Sequence, residues 1–308
     1  MSKATVAQGS SKSIHFYCSS GGNAGLACVT AAIALQRPAT IVVPFSTSGL
    51  MIKKLQDLGA NVVQKGQHWH EADSWLRLEL LAKDENGVYV PPFDHEDIWE
   101  GNSSIVAELE MQMSCLGGYD AVVCSVGGGG LFCGIMEGLH KHGRMIGGGG
   151  KSVRVLAMET RGAHSLNLSL RAGQLSRLPA ISSIATSLGA TQVAQKAFEY
   201  GQTLDVTSHI LSDAEAAMAC VNFANDERIL IESACGASIA TVYNGTLRQI
   251  LYPSLTNDEF SKLRIVIVVC GGSNVTLDIL DGYREKYSQD ETVLRTFTSK
   301  KRGYSLEC

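Results

Sequence analysis

Short β-rich runs alternate with segments of helical period along most of this chain, and glycine gathers where the two meet. Residues 13–18 and 39–43 are β-rich, and between them 23–36 places Ala, Leu and Ile at helical spacing, which makes a β-α-β unit. The alternation continues with a helix over 48–58, a strand at 61–64, a helix over 70–83 and a strand at 88–90. Beyond Pro91 and Pro92 it resumes with helix 98–113, strand 120–126, helix 131–142 and strand 153–158. Helices follow over 192–200, 213–225 and 235–250, then an apolar strand at 265–270 and a helix over 274–286. Past residue 289 the chain is polar and reads as an edge or tail. Strands alternating with helices predict parallel sheets covered on both faces. The fold class is therefore α/β, with two open parallel-type sheet domains: a smaller one over residues 1–96 and a larger one over 97–308.

Composition narrows the function classes. With 45% apolar and 18% charged residues and a net charge of −4, the 308 residues have the makeup of a core-forming protein and not of a disordered one. The 26 basic residues are outnumbered by 30 acidic ones, which leaves no basic stripe for a phosphate backbone apart from Lys300, Lys301 and Arg302. Nucleic acid is excluded as a partner. The apolar run at 265–270 falls far short of the roughly 20 residues that span a bilayer, and residues 1–13 carry no apolar leader, so no membrane is expected and the default compartment is the cytoplasm. The nine cysteines form no C-x-x-C pair, and Cys124, Cys133, Cys220 and Cys270 lie in apolar segments, as reduced core thiols do.

Glycine is enriched, 32 of 308 residues, and its clusters mark the candidate chemistry. The first, Ser19-Ser20-Gly21-Gly22-Asn23-Ala24-Gly25, stands between a strand and a helix, where hydroxyls and backbone N–H groups can seat a carboxylate or phosphate. A tight turn ending in an N-cap is the equally available plain reading. The second, Gly127 to Gly130, follows a strand and opens a helix with Leu131, Ile135 and Leu139 on one stripe, a cup of bare N–H groups for an anion. It is not a dinucleotide fingerprint, because the last required glycine falls on Phe132 or Cys133. A further tetraglycine, Gly147 to Gly150 before Lys151, fails as a P-loop because Met145 stands at the first glycine position, and it reads as a flexible linker. The third cluster, Cys270-Gly271-Gly272-Ser273-Asn274, ends the most apolar strand, and ligands of open parallel sheets collect at such strand ends. His68-Trp69-His70-Glu71 and Asp94-His95-Glu96-Asp97 read as surface and helix-start residues before they read as metal sites. No G-x-S-x-G elbow of a serine hydrolase is present.

In order and spacing, SSGGNAG, SVGGGGL and CGGSN resemble the PLP-dependent serine/threonine dehydratases of the tryptophan-synthase-β (fold type II) superfamily. Supporting segments are ATIVVP at 39–44, PFDHEDIWEG at 92–101, AMETRGAHS at 157–165, SIATSLG at 183–189 and ESACGA at 232–237. The resemblance implies a lyase that eliminates ammonia from L-serine or L-threonine, with pyridoxal 5'-phosphate in the interdomain cleft of a homodimer. By the same resemblance Ser19, Ser20, Gly21, Gly22 and Asn23 hold the substrate carboxylate, and Asn23 also meets the cofactor's phenolic oxygen. Gly127, Gly128, Gly129 and Gly130 cup the phosphate, and Cys270, beside Gly271, faces the pyridine nitrogen as a weak neutral partner. Glu159, Ala163, Leu188 and Ala190 fall where relatives hold a monovalent or divalent cation.

One departure is large. The family's Schiff-base lysine lies in an S-F-K-x-R-G motif upstream of the SSGGN loop, and these 308 residues contain no such motif. Lys3 and Lys12 precede the loop but carry none of it. The expectation is an N-terminally incomplete copy with no catalytic lysine, inactive as it stands. The competing reading is a non-catalytic homologue that binds PLP or an amino acid and acts through association with a partner. A smaller departure is Asn102, where relatives often have His after W-E-G.

Overall fold

The computed structural model of the protein describes residues 14–297; Lys3, Lys12 and the 300–302 basic cluster lie outside them. The chain divides into two compact units, one ending at Asp97 and one beginning at Ile98.

The first unit is built on a four-stranded parallel sheet in the order β3-β2-β1-β4, where β1 is His15–Cys18, β2 Ala39–Val43, β3 Asn61–Gln64 and β4 Gly87–Tyr89. Alternate side chains leave the strands on opposite faces. Phe16, Cys18, Ile41 and Val43 pack with Val29 and Ala32 of helix α1 (Asn23–Ala34) and Leu55 of α2 (Gly49–Asp57). Tyr17 and Val42 pack on the other face with Ala72 of α3 (Trp69–Trp75) and Leu76. The single helix expected over 70–83 changes winding, passing from α3 through a π-helical turn at Leu76–Leu80 to a 3-10 turn at Leu81–Lys83.

The second unit carries the order β7-β6-β5-β8, again parallel: β5 Ala121–Ser125, β6 Arg154–Thr160, β7 Val206–Leu211 and β8 Ile265–Ile267. Its helices are α4 (Glu96–Met113), which starts at the division, α5 (Gly130–Lys141), α6 (Ser165–Ala172), α7 (Gln195–Gly201), α8 (Asp213–Glu227), α9 (Ser233–Tyr243), α10 (Leu247–Leu251), α11 (Asn257–Phe260), α12 (Leu277–Tyr287) and α13 (Glu291–Phe297). Val123, Leu156 and Met158 form a core with the alanines of α8 and α9, among them Ala216, Ala219, Ala237 and Ala240. Small residues let these helices lie close on the sheet. Gly134 and Gly138 do the same for α5 against α4, since an added Cβ would come within 2.3 Å of the Asn102 Cβ and 2.6 Å of the Val106 Cβ.

Several sequence expectations change here. The helix expected over 235–250 is two helices, because Asn244 Oδ1 accepts bonds from the Thr246 N–H (3.0 Å) and hydroxyl (2.7 Å) and turns the chain. The strand expected over 265–270 makes its last ladder bond at Val268, whose N–H reaches the Val123 carbonyl at 2.9 Å, and Gly271 and Gly272 then take φ of +75° and +100°. Of the tail beyond 289, Glu291–Phe297 form a helix, α13, whose Val293 packs with Ala214, Met218 and Val221, and the rest lies outside the described residues. The tetraglycine is a folded loop and not a loose linker: the Gly150 N–H returns to the Gly143 carbonyl (3.1 Å) and the Ile146 N–H to Asp205 Oδ2 (3.0 Å).

Candidate active site

The phosphate-cup candidate forms where β5 runs into α5. Gly129 caps the helix at φ +101°, a left-handed conformation in which a side chain is strained, and a Cβ there would lie 2.5 Å from the Ala197 Cβ of α7. The wall is closed by main chain: the Ala194 N–H bonds the Gly128 carbonyl at 2.9 Å, and Leu188 Cα lies 3.0 Å from where a Gly127 Cβ would stand. No side chain caps this helix start, so its N–H groups and the positive end of its dipole are left for an anion.

Cys270 joins the cup because β5 and β8 are neighbours and both glycine clusters follow their carboxyl ends. Its sulfur lies 3.9 Å from the Ser125 hydroxyl at the end of β5. The Cys235 thiol donates it a hydrogen bond, which, against the opposing effect of burial, brings the Cys270 thiol down to about 7. Glu232 ties the region together. Its Oε1 accepts from the Asn274 N–H at 2.7 Å, its Oε2 from the Ser187 hydroxyl, and its own N–H bonds the Gly271 carbonyl at 2.9 Å.

In the first unit, the SSGGN loop leads from β1 into α1, with Gly22 as a helix cap that has no side-chain bond. Ser19 is fully buried, and its hydroxyl points inward, 2.7 Å from Asp73 Oδ1. Tyr89 donates to the same oxygen at 2.6 Å, Arg77 Nε to Oδ2 at 2.8 Å, and the Arg77 guanidinium lies 3.8 Å from the Tyr89 ring centre. Burial raises the Asp73 carboxyl, but the bonds from Tyr89, Ser19 and Arg77 outweigh it and hold the group below the usual range. Ser19 thus anchors the loop, while the Ser20 hydroxyl accepts from the Gly22 N–H at 3.3 Å and shapes its half-buried turn.

Of the four cation candidates, Glu159 is buried at the end of β6 and serves as a remote cap for α6, accepting from the Leu166 N–H at 2.9 Å and the Asn167 N–H at 2.8 Å. Burial pushes its carboxyl up to about 8, with those amide bonds pulling the other way. The Ala163 N–H bonds the Thr160 carbonyl at 2.9 Å, and the Ala190 N–H the Leu188 carbonyl at 2.8 Å. Among the described residues no group of three or more His, Cys, Asp or Glu is placed to hold a metal. Asp73, Tyr89, Glu232 and Cys235 carried no signal as site residues, since each acts on a partner far away in sequence.

The family model described as pyridoxal-phosphate dependent enzyme matches residues 2–271. The human protein named serine dehydratase-like is 44% identical over 266 residues, 85% of this chain and 76% of that protein. The human L-serine dehydratase/L-threonine deaminase is 43% identical over 273 residues, 88% of this chain and 80% of that protein. A fungal L-serine ammonia-lyase from Rhizomucor miehei superposes with a TM-score of 0.79 at 34% identity, over 92% of this chain and 85% of that one.

Proposed function

The chain belongs to the pyridoxal-phosphate dependent enzymes, and from that premise we propose that it is a lyase of the serine/threonine dehydratase kind, whose reaction turns L-serine into pyruvate, or L-threonine into 2-oxobutanoate, with release of ammonia. The observation that carries the reading is the pairing of an uncapped, glycine-walled helix start with a thiol at the ends of two adjacent parallel strands. Both features fit the cofactor. A phosphate monoester suits a cup of N–H groups in which a side chain has no room, and a thiol suits the nitrogen of a pyridine ring. When bound, the cofactor supplies an electron sink that makes the α-proton of an amino acid acidic.

The chain's own residues have separable tasks in this reading. Gly127 to Gly130 would hold the phosphate, and Cys270 would face the ring nitrogen. Ser20 to Asn23 present the turn that binds the substrate carboxylate, with Ser19 fixing that turn from beneath through Asp73. The 308 residues contain no S-F-K-x-R-G motif, so within them we assign binding and orientation and no α-proton base. A cation near Glu159, Ala163, Leu188 and Ala190, and a homodimer, complete the proposal. Potassium should raise the melting temperature in the first case, and light scattering should give twice the chain mass in the second.

Turnover tests the reading. The 308-residue chain with PLP should release no pyruvate from L-serine, and borohydride should fix no cofactor to it. Supplied with a segment that carries the lysine motif, it should form pyruvate and 2-oxobutanoate in a dehydrogenase-coupled assay. Bound PLP without product in that extended protein would count against the dehydratase assignment and for the non-catalytic homologue.

A further inference from the structure

Two thiols meet behind the end of β8. Cys235 lies in the first turn of α9 and is buried, whereas Cys270 follows β8 and is exposed. The Cys235 thiol donates a hydrogen bond to the Cys270 sulfur, and Cys235 Sγ accepts one from the Gly271 N–H at 3.4 Å. The two backbones are tied where the sulfurs meet: the Glu232 N–H bonds the Gly271 carbonyl at 2.9 Å, and Glu232 Oε1 takes the Asn274 N–H at 2.7 Å. The pair is therefore held in register by one backbone bond and one from the Glu232 carboxylate, and side-chain rotation can bring the sulfurs to bonding distance.

The two sulfurs are chemically unequal. Cys270 is accessible, and the hydrogen bond from Cys235 lowers its thiol from the ordinary value, which favours the thiolate. Cys235 is pushed up by the same bond and by burial. An accessible thiolate backed by a buried thiol is the arrangement in which one sulfur attacks an oxidant and the other resolves the product. Cys18 and Cys28, in the first unit, are also hydrogen-bonded to each other, but both are buried and present no sulfur to an oxidant.

We propose that Cys235 and Cys270 form a reversible disulfide when the chain meets hydrogen peroxide, and that this modification competes with the cofactor. The second half rests on the placement of Cys270 at the pyridine nitrogen; the first half does not. In the first step the Cys270 thiolate attacks one peroxide oxygen, an S–O bond forms as the O–O bond breaks, and the departing hydroxide takes a proton to leave as water. In the second step the Cys235 sulfur attacks the Cys270 sulfur, an S–S bond forms as the S–O bond breaks, and the hydroxide leaves as a second water with the Cys235 proton. Two thiols are oxidised by two electrons and one peroxide is reduced to two waters. A dithiol reductant returns the two electrons and restores both thiols.

The test is peptide mapping by mass spectrometry under non-reducing conditions, on the full chain treated with hydrogen peroxide with and without PLP. The expected product is a peptide pair linked through Cys235 and Cys270, abolished by dithiothreitol. In Cys235→Ser it should be replaced by sulfinic or sulfonic acid at Cys270. With PLP at about ten times its Kd the linked pair should form about tenfold more slowly. Over-oxidation of Cys270 in the wild-type chain with Cys235 left as thiol would overturn the disulfide, as would linkage of Cys18 to Cys28 ahead of it. Linkage at the same rate with PLP bound would uphold the disulfide and overturn both the competition and the placement of Cys270 at the ring.

Discussion

At the scale of single residues, Asp73 decides how the SSGGN loop is held. One carboxylate collects the Ser19 and Tyr89 hydroxyls and the Arg77 guanidinium, and only the charged form accepts all three without donating a proton of its own. Because the folded state holds Asp73 below its ordinary value, its stabilisation is complete above the usual carboxylate range, near 4, and is lost as pH falls through the lowered folded value. Asp73→Asn should therefore cost about 1.5–3 kcal/mol at pH 7, in the range of hydrogen bonds to charged groups, and the gap from wild type should close as the pH is taken toward 3. Thermal melts of both proteins across that range check it; a gap independent of pH would show that the carboxylate charge has no part in the anchor. The sequence marked Ser19 as a loop residue and left its partner hidden, because Asp73 lies 54 positions away on a helix whose pattern reports only which face is apolar.

At the scale of elements, the glycine-to-helix junction is the part most legible in sequence and most exacting in structure. Gly129→Ala places a Cβ in left-handed backbone and against Ala197, which should cost about 2–4 kcal/mol by the usual prices of that conformation and of overpacking. Gly282 in α12 has nothing within 4 Å of a Cβ, so Gly282→Ala should stabilise by about 0.5–1 kcal/mol. Urea unfolding of the two variants reads both signs; equal effects would mean that the junction's backbone is not what makes glycine necessary there. Elements capped from a distance, or lying at a sheet edge, carry little local signal. Helix α6 has no local N-cap signal, since Glu159 supplies its first-turn acceptors from the strand before it. Strand β7 is an edge, partly exposed along most of its length, with Ser208 and His209 breaking the apolar run that would have marked it.

At the scale of the whole molecule, alternation of strand and helix is enough to give two parallel α/β sheets, because every parallel connection needs a crossover and crossovers here are helices. It is not enough to give the strand order. The orders β3-β2-β1-β4 and β7-β6-β5-β8 put β1 beside β4 and β5 beside β8, pairings between strands far apart in the chain that no local periodicity encodes. That second pairing brings Cys270 to Ser125 and so to the glycine cup. The central claim, that this cup holds the phosphate of PLP, is tested most directly by calorimetric titration of PLP into the 308-residue chain and into Gly128→Val, with circular dichroism to confirm that the variant is folded. One PLP should bind per wild-type chain, displaced by inorganic phosphate, and none to the folded variant, whereas a folded Gly128→Val that takes up PLP with unchanged affinity would place the phosphate elsewhere.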